Sequence, residues 1–105
     1  MTTKIYVGET ELPPGWVGPL IHVWTGVTAL DSESSKFYKG NQNVSSAILS
    51  GSDSSTGGSQ TSQTITIPDD GTYDGQVCSL VWVATYQGKT DQRWLKIVVP
   101  KKEER

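Results

Sequence analysis

Cysteine and histidine are nearly absent from this chain: Cys78 and His22 are single occurrences in 105 residues. A lone thiol cannot close an intrachain disulfide, so packing alone must hold whatever fold forms. One histidine and one cysteine cannot build a zinc site either, because structural sites take four side-chain ligands and catalytic ones usually three. Charge of one sign is also lacking, with nine Lys and Arg against eleven Asp and Glu for a net charge of -2. That balance offers no electrostatic footprint for nucleic acid or an anionic membrane, and neither is expected as a partner. Long apolar runs are missing too. Met1-Thr2-Thr3-Lys4 is polar and the stretch after it is broken by Gly8, Glu9 and Glu11, so no signal-peptide core can be drawn. No run approaches a membrane span. The expectation is a protein made in the cytoplasm and not secreted through a signal peptide.

Catalytic constellations are equally scarce. His22 would need a serine and an acid from across the fold to form a triad, and nothing around it resembles a nucleophile elbow. A histidine on a strand face beside Trp24 is the simpler assignment. Asp69 and Asp70 could pass for paired carboxylates, yet their place beside Gly71 suits a turn in which Asp side chains bond their own backbone. Asp53 lacks calcium-loop spacing, and Gly57-Gly58 lies in low-complexity sequence rather than in a phosphate-binding loop. Asn43-Val44-Ser45 matches a glycosylation sequon that has no secretory signal to give it meaning. No catalytic residue, cofactor or metal is assigned, and no enzyme is expected.

What the chain does contain is β-type punctuation. Ile5 and Val7 alternate with polar neighbours and form a first short strand closed by Gly8. Pro13-Pro14-Gly15 forces a turn or an extended segment, and Trp16 anchors that connection to the core. Leu20 to Leu30 is rich in β-branched and aromatic residues, with Ile21 and Val23 on one face and His22 and Trp24 on the other, and reads as a strand buried on both sides for part of its length. Lys36 to Lys39 and Ala47 to Leu49 are short candidates. Ser50 to Ser62 has no residue able to fill a core and is expected to be a mobile loop. Thr64 to Ile67 alternates cleanly and stops at Pro68. No stretch reads as an amphipathic helix of useful length. The sum is a single all-β domain over residues 1–105, with about seven strands and short arms at both termini.

Asp69-Asp70-Gly71-Thr72-Tyr73, followed by a long two-strand run from Gln76 to Val99, resembles the end of an immunoglobulin-like two-sheet sandwich, where a tyrosine corner leads into the last hairpin. The resemblance implies that the Tyr73 hydroxyl bonds back to the backbone a few residues upstream. The family's second cysteine would fall at position 75, which is Gly75, so the inter-sheet disulfide is absent. An ordinary Asp-Gly turn before Tyr73 remains the alternative.

The last hairpin carries the candidate interaction residues. Along its first strand Val77, Val81 and Val83 share one face with Ser79, while Cys78, Leu80, Trp82 and Ala84 share the other. Along the second, Trp94, Lys96 and Val98 oppose Leu95, Ile97 and Val99. A sandwich strand usually alternates apolar inward with polar outward, and here both faces are apolar. A bulge at Gly75 would flip the parity, so either face could be the core. Whichever points outward is a contiguous apolar surface, which marks a partner site unless the Pro13 to Val17 segment or a loop folds over it. The candidate partner-binding residues are Trp16, Val81, Trp82, Val83, Trp94 and Val98.

Taken together, the composition, the missing active site and this surface resemble the stand-alone immunoglobulin-like accessory proteins of tailed-phage virions, the head decoration or cement type. That resemblance implies a virion location, protein partners (the major capsid protein and copies of itself) and a homo-oligomer in the assembly. A carbohydrate-binding or adhesive β-sandwich module, with Trp16, Trp24, Trp82 and Trp94 as stacking platforms, is the alternative.

Overall fold

The alternating stretches form strands that pair into two facing sheets. The structure, a computed structural model, describes residues 2–24, 26, 27, 30–55 and 60–102. In chain order the elements are β1 (Thr2–Glu11), β2 (Val17–Val23), β3 (Ser32–Lys39), β4 (Gln42–Asn43), the single-turn α1 (Ser45–Ile48), β5 (Leu49–Ser55), β6 (Gln60–Thr66), β7 (Val77–Tyr86) and β8 (Lys89–Val98). One sheet has the order β1-β8-β7-β3-β4 and the other β2-β6-β5. Immunoglobulin sandwiches keep strands C, F and G in one sheet and B, E and D in the other. Here β3, β7 and β8 take the first set of places and β2, β6 and β5 the second. The expected all-β, immunoglobulin-like two-sheet sandwich is therefore the observed fold, with eight strands among the described residues rather than about seven.

Local chemistry sets the hairpin that dominates the larger sheet. Tyr86 pairs with Lys89 across a two-residue turn. Gln87 (φ 50°) and Gly88 (φ 76°) both occupy the left-handed region, the conformation whose twist matches the flanking strands. From there the register runs unbroken from Thr85↔Thr90 to Val77↔Val98. The core between the sheets is built from Phe37 on β3, Ile65 on β6, Cys78, Leu80, Trp82 and Ala84 on β7 and Ile97 on β8, with Trp24, Ile48, Ile67 and Val99 from the connections and strand ends.

Several sequence expectations are corrected. Ser50 to Ser62 is not a loop: its described parts belong to β5 and β6, which pair with each other, and residues 56–59 lie outside the described residues. Polar side chains fill the core there by being hydrogen-bonded. Thr61 and Gln63 are buried; the Trp24 indole donates to Thr61 Oγ1 at 3.0 Å, and the Gln63 amide donates to the carbonyls of Ser50 at 2.9 Å and Thr64 at 3.0 Å. Such pairing removes the desolvation penalty that made the segment look unable to fold. Ala47 and Ile48 lie in α1, not in a strand, because Ser45 ties the chain to β3 by accepting from the Phe37 N–H at 2.8 Å. The expected N-terminal arm is paired from Thr2 onward: β1 runs parallel to β8 beyond Gly8, with a bulge between Tyr6 and Gly8. The strand expected from Leu20 to Leu30 starts earlier, at Val17, and ends at Val23.

The tyrosine corner is also corrected. The Tyr73 ring is buried, but its hydroxyl has no hydrogen-bond partner among the described residues. Main chain and an aspartate hold the turn instead: Asp70 Oδ1 accepts from the Thr72 N–H at 2.9 Å and Tyr73 O from the Gln76 N–H at 3.1 Å. Gly75 at φ 71° supplies a conformation costly for other residues. This is the Asp-Gly turn.

Candidate interaction surfaces

Parity along β7 and β8 separates two kinds of tryptophan. Cys78, Leu80, Trp82, Ala84 and Tyr86 point between the sheets, and Trp82 is only 2% exposed. Their cross-strand partners Ile97, Leu95, Arg93, Asp91 and Lys89 set the inward parity of β8, which leaves Trp94, Lys96 and Val98 outward. Trp82 is thus withdrawn as a partner-binding residue, because a side chain sealed in the core reaches no partner. Val81 faces outward but is 1% exposed. It is covered by its own sheet's side chains and offers no free contact area.

The covering is aromatic. Tyr38 on β3 and Trp94 on β8 flank β7, and their rings stack with centroids 5.6 Å apart and planes 9° from parallel. The stack therefore passes over β7, closing above Val81. The Trp94 indole donates to Gln92 Oε1 at 3.0 Å, which fixes its ring. Tyr6 pairs with Trp94 in register on the neighbouring strand and is 61% exposed. Val83 and Val98 extend this outer face, and exposed Val77 sits opposite Val98 at its end. Lys96 and Glu9 form an ion pair at 3.0 Å beside the aromatics, and the Lys96 pKa is raised by that hydrogen bond. Trp94, Val83 and Val98 thus share one face of the sheet. Tyr6 and Tyr38 join them unforeseen, because only the strand register shows that residues so distant in sequence share a row.

Trp16 belongs elsewhere. It packs against the core from the connection before β2, and a side chain added at Gly18 would meet its ring at 3.1 Å. Its carbonyl accepts from the Ile67 N–H at 2.8 Å, and the Gly15 N–H donates to Ile67 O at 2.8 Å. The Pro13 to Val17 segment accordingly continues the β2–β6 ladder of the smaller sheet and does not fold over the outer face of the larger one.

A polar cluster fills one end of the core. The His22 ring stacks on Trp82 with centroids 5.4 Å apart and meets Trp24 edge-on at 5.3 Å. Arg93 lies 4.6 Å over the Trp24 ring and 3.8 Å from Asp91, to which the Tyr86 hydroxyl donates a hydrogen bond. That bond, followed by burial, raises the Tyr86 pKa, whereas burial and then the Arg93 charge lower that of His22. The cluster ties β8 to the smaller sheet through stacking and charge.

The smaller sheet has an apolar row of its own. Val17, Ile21 and Val23 are 62%, 54% and 57% exposed on the outer side of β2. The expectation that this strand is buried on both sides therefore fails, and only its Leu20 and His22 side faces the core. Asp69, the other member of the Asp pair, makes an ion pair with Lys102 at 2.9 Å, which fastens the chain after β8 to the turn before β7. Among the described residues no group of three His, Cys, Asp or Glu converges on a metal position, no pocket opens, and no helix is long and apolar enough to cross a membrane.

Comparison with known proteins adds little. No family model matches the chain, and no curated protein matches it. Among solved structures the chain is similar to the M1 domain from titin, at 16% identity and a TM-score of 0.45, covering 98% of this chain and 94% of that one. The fold assignment stands on the strand order.

Proposed function

We propose that this domain is a non-enzymatic structural module that docks onto protein through the outer face of its larger sheet. Its proposed setting is a tailed-phage virion, where it acts as a head decoration or cement protein on the major capsid protein beside copies of itself. The observation that carries this reading is the aromatic row of Tyr6, Trp94 and Tyr38, exposed at one end and pre-ordered by stacking at the other. Aromatic side chains already held in one rotamer lose little freedom on binding and are frequent anchors at interface centres. The mechanism is cohesion by mass action: each copy binds the assembled shell and not its separated subunits, so the shell gains the binding free energy, and many copies add their contacts.

A second reading rests on the same row, since an exposed tyrosine beside a tryptophan and the Gln92 amide is also a platform for a sugar ring. One experiment addresses both. Purified wild-type and Trp94→Ala protein are incubated with capsids stripped of accessory proteins and, separately, with insoluble polysaccharide, and then sedimented. Capsid binding by the wild type that weakens in Trp94→Ala by roughly 2 kcal/mol or more supports the docking reading. Retention on polysaccharide alone supports the second. Capsid binding that survives Trp94→Ala would move docking to the Pro13 to Val17 segment or the termini.

A further inference from the structure

The outer side of β2 combines an apolar row with an open edge. β2 pairs only with β6, so among the described residues no strand lies along its other side. Trp16 O accepts from Ile67 of the neighbouring chain segment, and lateral direction alternates along a strand. Even-numbered residues of β2 therefore turn their backbone groups toward β6, and Val17, Pro19, Ile21 and Val23 turn theirs to the open edge. The same odd-numbered residues carry the exposed aliphatic side chains. Exposed edges in soluble proteins are blunted by charge or by Pro; β2 and β6 contain no Asp, Glu, Lys or Arg, and Pro19 is the one such residue on β2. Of the larger sheet's two edges, β1 carries Glu9 and Glu11, and β4 is only two residues long.

The geometry points to β2 as a self-association edge whose occupant is the β2 strand of a second copy of this chain, antiparallel and related by a two-fold axis at Ile21. A two-fold interface sets each surface against itself, so any charge would face its like; a charge-free strand beside a charge-free neighbour meets that condition. With the axis at Ile21, that residue exchanges both backbone bonds with the second copy's Ile21. The Val23 N–H then reaches the carbonyl of the second copy's Pro19. Pro19 has no N–H to return, so each Val23–Pro19 pair makes one backbone bond where an ordinary pair makes two. The two smaller sheets become one continuous sheet, and the outer faces of the larger sheets stay free on both copies. The inference is independent of the docking face proposed above.

Sedimentation equilibrium over a wide concentration range, with hydrogen exchange at both ends of it, tests the pairing. The wild type should show a concentration-dependent dimer, with the Ile21 and Val23 amides gaining protection as it forms. Ile21→Lys, exposed in the monomer and so free to fold, should weaken dimerisation by about tenfold or more, while Trp94→Ala should dimerise as the wild type does. A wild type that is monomeric throughout, an Ile21→Lys variant that dimerises undiminished, or a dimer abolished by Trp94→Ala would overturn the assignment.

Discussion

The inner and outer faces of β7 and β8 carry similar residue types and have opposite fates. Inside, Trp82 is sealed between His22 and the core, in a cluster that reaches Arg93, Asp91 and Tyr86. Outside, Trp94 lies against Tyr38 and stays partly buried beside exposed Tyr6. Hydrophobicity does not distinguish the two faces; the difference is that a second sheet covers one of them. Where a sheet is covered, side chains hold the fold, and where it is not, the same residue types are available to a partner.

The largest effect expected is from Trp82→Ala, which empties the centre of the inner face. It should cost about 3 to 5 kcal/mol and leave so small a domain largely unfolded by circular dichroism. Asp91→Ala comes next. It removes the acceptor of the Tyr86 hydroxyl and the carboxylate beside Arg93, leaving a mostly buried cation without compensation. A loss of about 2 to 3 kcal/mol in urea unfolding is expected; no loss would mean that water already serves those groups.

Cys78→Ala tests the same face more gently. The thiol is fully buried and pushed up to about 11 by burial, against the pull of Lys39. It behaves as a small hydrophobe, so the variant should lose on the order of 1 kcal/mol, and native protein should resist alkylation at neutral pH. His22 adds a pH dependence. Its folded pKa lies below the ordinary 6.5, so the unfolded chain binds the proton more readily. The contribution of neutral His22 is intact above about pH 6.5 and is lost as pH falls through the folded value. Melting temperatures across pH 4 to 7 should show that decline in the wild type and lack its histidine component in His22→Gln.

The smallest effect is expected from Tyr73→Phe. Because the hydroxyl has no partner among the described residues, the denaturation midpoint should move by less than about 0.5 kcal/mol. A tyrosine-corner bond would make that loss about 0.5 to 1.5 kcal/mol.

Much of this division was legible in the chain. Strand alternation and the closing turn of Gln87 and Gly88 marked the hairpin, and the apolar residues on both its faces announced that one face would be exposed. Its parity was not legible, because the conformations of Gly71 and Gly75 decide it and several are compatible with the sequence. The β5–β6 pair was hidden by composition: Ser, Thr and Gln look unable to fill a core until Thr61 and Gln63 are seen hydrogen-bonded within it. Tyr6 and Tyr38 were hidden by register, since neither is near Trp94 in sequence. The exposed row on β2 was hidden because Val and Ile are more often buried than exposed.

The most direct test of the division is a paired melt of Trp82→Ala and Trp94→Ala under identical conditions. The account predicts that Trp82→Ala has no cooperative transition, or one far below the wild type. Trp94→Ala should melt cooperatively, within the roughly 1 kcal/mol that a lost aromatic stack costs. Equal destabilisation of the two, or a more stable Trp82→Ala than Trp94→Ala, would contradict it.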